Sequence, residues 1–129
     1  MNTKIVLDSS ALLALLQQEK GSEIIQPLLE NATMSSINIA EVLTTLMRIH
    51  ILPQEALLFI PDMIKEIIPF DLEQASLAAE LYPQGKEKGL SLGDRACIAL
   101  GIKLQAPIYT ADKIWADLSI DCADIRLIR

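Results

Sequence analysis

Short apolar runs alternate with helical patterns along this 129-residue chain, and that alternation restricts the fold more than any other feature. The run KIVLD at 4–8 is rich in β-branched residues and ends on an acid, as expected for a strand buried on both faces. Further strands are expected at 33–35, 67–70, 108–110 and 125–128. Helical patterns separate these runs, so the sequence predicts an α/β fold in which helices cover a parallel sheet.

The helices are predicted from apolar spacing and from serine, glycine and proline signals at their ends. They are expected at 9–16, 22–30, 37–50, 53–66 with a break or kink at Pro61, 72–81, 91–105 and 112–118, with a polar loop at 83–89. A chain of this length suits one domain, expected to cover 1–129. No apolar run reaches the ~18–20 residues that span a bilayer, and an acid at position 8 interrupts any signal sequence, so we expect a cytoplasmic protein.

The charge balance restricts the function. Eleven basic residues face 17 acidic ones, a net charge of −6, which disfavours a generic basic nucleic-acid binder. The single histidine, His50, excludes mechanisms that need two imidazoles, and with two cysteines it falls short of a zinc-ligand pattern. If the chain is an enzyme, carboxylates and a metal ion are the expected groups.

Two acids are expected where strands end. Asp8 closes the first strand and Asp112 follows the strand 108–110, and ligands of open α/β sheets bind beyond the carboxyl ends of strands. Each acid has a plainer interpretation as a helix N-cap, because aspartate at that position accepts a hydrogen bond from the first turn. Taken alone, neither acid decides between a site and a cap.

Two more acids are expected on helices. Glu41 shares a polar stripe with Asn38, Thr45 and Arg48, which could equally be a solvated helix face. Asp94 begins an apolar stripe, where a buried carboxylate is costly unless it is paired or bound to metal. The alternative for Asp94 is a capping box with Ser91.

Together the acids Asp8, Glu41, Asp94 and Asp112 describe one possible site. Crowded carboxylates repel each other, and hard cations such as Mg²⁺ or Mn²⁺ relieve that repulsion. Mg²⁺ commonly meets substrate phosphates, so the natural chemistry is metal-assisted phosphodiester hydrolysis. Arg95 could pair with an acid or a phosphate.

Four ordered segments carry a family resemblance: IVLDSSALLALL, INIAEVLTTL, LSLGDRACIALG and IYTADKIW. Together they resemble a PIN-domain ribonuclease, and more specifically a VapC-type toxin of a bacterial toxin–antitoxin pair. The resemblance implies a three-layer α/β/α sandwich with a central parallel sheet and an Mg²⁺- or Mn²⁺-dependent endoribonuclease that uses a metal-activated water. It also implies RNA as substrate, a cognate antitoxin as partner and a homodimer.

The same resemblance places the catalytic and metal-binding acids at Asp8, Glu41, Asp94 and Asp112. Ser10, Asn38 and Thr110 match polar neighbours of the family's site, while Asp117 matches a fifth acid of some relatives only poorly.

Two other functions compete with an RNA-cleaving toxin. A catalytically silent PIN-like binding module would keep the fold without the reaction. A receiver-type phosphotransfer domain also has acids at strand ends, but Ser9 and Ser10 follow Asp8 where a paired acid would be expected.

Overall fold

Five parallel strands form the central sheet of the computed structural model, which describes residues 3–129. The strands run in the spatial order β3-β2-β1-β4-β5. Their bounds are β1 Ile5–Leu7, β2 Ala32–Ser35, β3 Glu66–Ile68, β4 Ile108–Thr110 and β5 Ile125–Leu127. Every pairing is parallel, and β1 lies at the centre between β2 and β4. The predicted parallel sheet is therefore confirmed.

Helices cover both faces of the sheet. They are α1 Ser9–Leu16, α2 Ser22–Ile25, α3 Ser36–Met47, α4 Pro53–Ala56, α5 Ile60–Met63, α6 Leu72–Glu80, α7 Tyr82–Lys86 and α8 Leu92–Leu104. Two 3-10 helices, Gln26–Asn31 and Lys113–Asp117, complete the regular structure of residues 3–129. Within residues 3–129, none of the helices is both long and apolar enough to cross a membrane.

The core has two parts, one on each face of the sheet. Ile5 and Leu7 of β1 pack with residues of α1 to α5. Val6 points to the opposite face, because successive side chains of a strand alternate, and it packs with residues of α6 and α8 and with Trp115. Two apolar layers around one sheet make the three-layer α/β/α sandwich that the sequence predicts.

Three local predictions need correction. The helix expected over 53–66 is two short helices, because Pro61 lies in the first turn of α5, where proline starts a helix. The helix expected over 22–30 is a short α-helix, α2, followed by a 3-10 helix that has Pro27 in its first turn. The polar loop expected at 83–89 contains α7, a helix with Pro83 in its first turn and a buried glycine, Gly85.

Candidate active site

The sheet brings the two strand-end acids together. β1 and β4 are neighbours in register, with Leu7 opposite Tyr109. The backbone N–H of Asp8 donates to the carbonyl of Tyr109 at 3.0 Å, so the pairing continues to the end of both strands. Asp8 and the chain leading to Asp112 therefore leave the same edge of the sheet side by side.

Asp8 is buried, with 3% of its surface exposed. Its Oδ2 accepts hydrogen bonds from Ser10 Oγ at 2.7 Å and from Thr110 Oγ1 at 2.9 Å. Its Oδ1 is also buried and has no hydrogen-bond partner within residues 3–129. Asp8 occupies the N-cap position of α1, but its side chain makes no capping hydrogen bond, so capping does not explain this acid.

Ser10 and Thr110 tie Asp8 to the end of β4. The Ser10 hydroxyl accepts a hydrogen bond from the backbone N–H of Ala111 at 2.9 Å, and the Thr110 hydroxyl accepts one from the N–H of Asp112 at 3.1 Å. Each hydroxyl thus accepts a hydrogen bond from a backbone N–H and donates one to the Asp8 carboxylate. This network fixes the Asp8 carboxylate relative to the segment that carries Asp112.

Glu41 does not point freely into solvent. Its Oε1 accepts a hydrogen bond at 2.9 Å from Nδ2 of Asn38, one turn earlier on α3. The same Nδ2 donates at 3.0 Å to the carbonyl of Gly93, so the fully buried Asn38 joins α3 to the first turn of α8. A Cβ atom at Gly93 would lie 2.2 Å from Glu41 Oε2, because the carboxylate rests directly on the glycine.

Asp94 and Asp112 each act as a cap through one oxygen. Asp94 Oδ2 accepts a hydrogen bond from Ser91 N at 2.9 Å, and Asp94 N donates to Ser91 Oγ at 3.1 Å, which completes a capping box. Asp112 Oδ1 accepts from Ile114 N at 3.0 Å. The capping interpretations are correct for both acids, and they coexist with a site because each acid has a second oxygen.

Electrostatics connect the four acids. Burial raises the pKa of Asp8 to about 6, the hydrogen bonds from Ser10 and Thr110 oppose that rise, and the negative charges of Asp94 and Glu41 add to it. Burial also raises the pKa of Asp94, against the Ser91 hydrogen bonds, and Glu41 and Asp112 raise it further. The negative charges of Glu41 and Asp94 therefore oppose the ionisation of Asp8, and those of Glu41 and Asp112 oppose the ionisation of Asp94.

This donor set suits a hard divalent cation. All four side chains offer carboxylate oxygens, and the buried, unpartnered Oδ1 of Asp8 would gain a partner from a bound ion. Within residues 3–129, no three acid, histidine or cysteine side chains are already gathered as a complete ligand set. Mg²⁺ usually keeps several waters and takes only one or two protein carboxylates, so a looser arrangement of acids suits it.

Arg95 does not join the acids. Its Nη1 donates to the carbonyl of Ala78 at 3.0 Å, and its guanidinium carbon lies 5.6 Å from the centre of the Tyr82 ring. The side chain is directed toward α6 and α7 and forms no ion pair with an acid within residues 3–129, so of the two possible partners, an acid or a phosphate, the acid is not found. His50 is exposed in the turn beyond α3, and Asp117 is exposed at the end of the second 3-10 helix.

Gly93 is the residue that sequence reasoning missed. A glycine in the first turn of a helix costs up to ~1 kcal/mol relative to alanine, which is a signal that another group comes close. A second missed feature is a cavity of about 490 Å³ beside Glu41. Its polar and small lining residues are Ser9, Ala40, Glu41, Thr44, Thr45, Arg48 and Gly93.

Comparison with known proteins agrees with the fold. The PIN domain family model matches residues 5–120. A search of curated protein sequences found no match. Among solved structures, a toxin–antitoxin complex from Klebsiella pneumoniae has 19% sequence identity and a TM-score of 0.70, covering 93% of this chain and 95% of that chain.

Two other solved structures are similar in the same way. VapBC2 from Rickettsia felis, bound to a DNA fragment of its promoter, has 19% identity and a TM-score of 0.72, covering 95% of this chain and 97% of that chain. VapBC-5 from Mycobacterium tuberculosis has 23% identity and a TM-score of 0.63, covering 98% of each chain.

Proposed function

The chain belongs to the PIN domain family, and from that premise we propose that it is a metal-dependent endoribonuclease that hydrolyses RNA phosphodiester bonds. The observation that carries the proposal is the buried Asp8 carboxylate, surrounded by the charges of Asp94 and Glu41 and left with one oxygen unpartnered. A protein keeps so costly an arrangement where a function requires it. Family membership removes the receiver-type alternative.

In this proposal Asp8, Glu41, Asp94 and Asp112 hold Mg²⁺ or Mn²⁺. Such an ion, when bound, polarises the phosphate and lowers the pKa of an attacking water. The chain's own contribution is to fix the acids beforehand. Ser10 and Thr110 orient Asp8, Asn38 orients Glu41, and the two helix caps orient Asp94 and Asp112.

Proton transfer by an imidazole is not part of the proposal. The only histidine of the chain, His50, is exposed beyond the end of α3 and has a backbone φ of 67°, in a turn rather than at the acidic edge. Carboxylates are therefore the groups available to orient or deprotonate water.

Metal removal should stop cleavage. With EDTA in excess, cutting of a single-stranded RNA should fall by more than ~100-fold, and added Mg²⁺ or Mn²⁺ should restore it, because a bound ion would supply the positive charge that stabilises the reacting phosphate. Attack by water should leave a 5′-phosphate and a 3′-hydroxyl, which end-labelling and mass spectrometry distinguish. Full activity in EDTA, or a 2′,3′-cyclic phosphate product, would contradict the proposal.

We also propose that the protein is the toxin of a type II toxin–antitoxin pair and acts in the cytoplasm, where its RNA substrates are. Support comes from the toxin–antitoxin neighbours of its fold and from apolar side chains that it leaves exposed. Leu58 between α4 and α5 is 80% exposed, and Leu72 at the start of α6 is 85% exposed. Surfaces of this kind favour a protein partner, either the cognate antitoxin or a second copy in a homodimer.

Co-expression tests the partner. We expect the protein alone to arrest growth, and the product of an adjacent small reading frame to restore growth and to co-purify with it in a stable complex. The Asp8→Asn variant, which keeps the surface, should bind the same partner without arresting growth. Recovery of growth without a complex would contradict direct inhibition.

A catalytically silent binding module remains the second candidate, and one observation favours it: Asp94 and Asp112 have capping roles that need no catalysis. Calorimetry with Mn²⁺ separates the two functions, because a silent module would bind no ion while its fold and its partner binding persist.

A further inference from the structure

We infer that the cavity beside Glu41 is a binding site for the RNA strand, in which Arg48 holds a backbone phosphate two or three nucleotides from the bond that is cut. This inference rests on the proposed ribonuclease function. It assigns Arg48, which lies apart from the four acids, as a substrate-binding residue.

The cavity is continuous with the acidic site. It has a volume of about 490 Å³, and its lining includes Glu41 and Gly93, which contact each other, and Arg48, about two helical turns further along α3. Glu41, Thr45 and Arg48 are four and then three residues apart, which places them on one face of α3. Arg48 keeps helical backbone angles just after the last residue of the helix, so the row continues to it.

The length of this row fits a nucleic-acid strand. Seven residues of α-helix rise about 10 Å, which is the distance along the axis from Glu41 to Arg48. Phosphates of a stacked strand follow one another at ~3.4 Å of rise, so this interval spans about three nucleotides, and fewer if the strand is extended.

Charge supports a phosphate as the group that Arg48 binds. The chain has a net charge of −6, and the four acids repel a polyanion such as RNA. A positively charged side chain near the acids would offset part of this repulsion. Arg48 is the only cation among the described residues that line the cavity. It is exposed and takes part in none of the ion pairs formed within residues 3–129, so its guanidinium fork is available to two phosphate oxygens.

The test combines one protein substitution with one neutral linkage in the substrate. An RNA oligonucleotide with a single mapped cut is synthesised with a methylphosphonate, which carries no charge, at each position from one to five on either side of the cut. With wild-type protein, one linkage two or three nucleotides from the cut should lower kcat/KM by ~10-fold. Arg48→Gln should lower kcat/KM on the unmodified RNA by a similar factor, through KM, and should lose sensitivity to that one linkage.

A matched control is Lys65→Gln, which removes an exposed cation just before the start of β3, at the opposite edge of the sheet from the acids. It should change neither KM nor the linkage profile. The salt dependence of KM should become shallower only in Arg48→Gln, by about one phosphate contact.

The failures of the two ideas are distinguishable. If the wild-type protein cleaves RNA and Arg48→Gln keeps the full linkage profile, the binding site is wrong while the ribonuclease stands. If Arg48→Gln weakens only the complex with a protein partner, the cavity belongs to that partner and the inference is overturned. If the wild-type protein cleaves no RNA, both proposals fail together.

Discussion

Asp8→Asn should abolish RNA cleavage and at the same time stabilise the metal-free protein. Activity should fall by at least ~100-fold, because the substitution removes one charge from the proposed cation site without changing its shape. The free energy of unfolding in EDTA at pH 7.5 should rise by roughly 2 kcal/mol, since a buried carboxylate beside two like charges is replaced by a neutral amide.

The stabilisation of the metal-free protein by Asp8→Asn should depend on pH. The pKa of Asp8 in the folded protein is about 6, above the ordinary value of 3.8, so folding disfavours its charged form. That cost is absent below about pH 4 and complete above about pH 7. Thermal unfolding in EDTA should therefore show equal Tm values for wild type and Asp8→Asn at pH 4, and a Tm gain of several degrees for the variant at pH 7.5.

A control variant and the addition of Mg²⁺ complete this experiment. Asp62→Asn removes an exposed acid from α5, before the start of β3, and should alter neither activity nor the pH dependence. Excess Mg²⁺ should stabilise the wild type and leave Asp8→Asn unchanged. An active Asp8→Asn variant, or one that is less stable than wild type in EDTA at pH 7.5, would refute the role given to Asp8.

Two glycines of α8 should separate activity from stability. Gly93→Ala places a Cβ 2.2 Å from Glu41 Oε2, so the carboxylate must leave Gly93 and its hydrogen bond from Asn38. We expect cleavage to fall by ~10- to 100-fold. Stability should stay within ~1 kcal/mol of wild type, because a flexible side-chain end yields easily and alanine favours the helix.

Gly101→Ala is the matched variant on the same helix. Its Cβ would lie 2.2 Å from Cγ1 and 2.3 Å from Cδ1 of the buried Ile108 on β4. Overpacking of this kind costs ~1–3 kcal/mol, so the Tm should fall while cleavage well below the Tm is kept. Equal losses of activity and stability in both variants would show that Gly93 is a packing residue like Gly101, with no particular relation to Glu41.

Much of the fold follows from the sequence because each strand is a short apolar run between helical patterns. The run at 4–8 predicts β1, and its position before two serines predicts α1 directly after it. The runs at 33–35 and 108–110 likewise predict β2 and β4. Period and composition suffice for such elements, since burial on both faces leaves few alternatives.

Elements that depend on proline position were harder to predict. Pro61 and Pro83 both lie in the first turn of a helix, whereas the sequence pattern predicts a break or kink at Pro61 and a loop at Pro83. Proline ends a helix or starts one according to the residues on either side, and packing decides which applies.

The sequence predicts four candidate acids at one site, but not the contacts that hold them in place. Four positions followed from strand ends, helix faces and the family resemblance. The hydrogen bond from Thr110 to Asp8 and the contact of Glu41 with Gly93 join residues distant in sequence. A single sequence contains no direct signal for such contacts, because the first exists only once β1 and β4 have paired and the second only once α3 and α8 have packed together.

The two helix caps determine how this site would decay if selection for cleavage were relaxed. Asp94 and Asp112 would still be retained, since each stabilises the first turn of a helix whether or not an ion is bound. The Asp8 side chain makes no capping hydrogen bond, and its charge destabilises the folded state. We therefore expect Asp8 to be among the first of the four acids to be substituted. In a related protein that has lost its activity, the presence of Asp94 and Asp112 would therefore not indicate catalysis. The identity of the residue at position 8 would distinguish an active enzyme from a relative that has lost its activity.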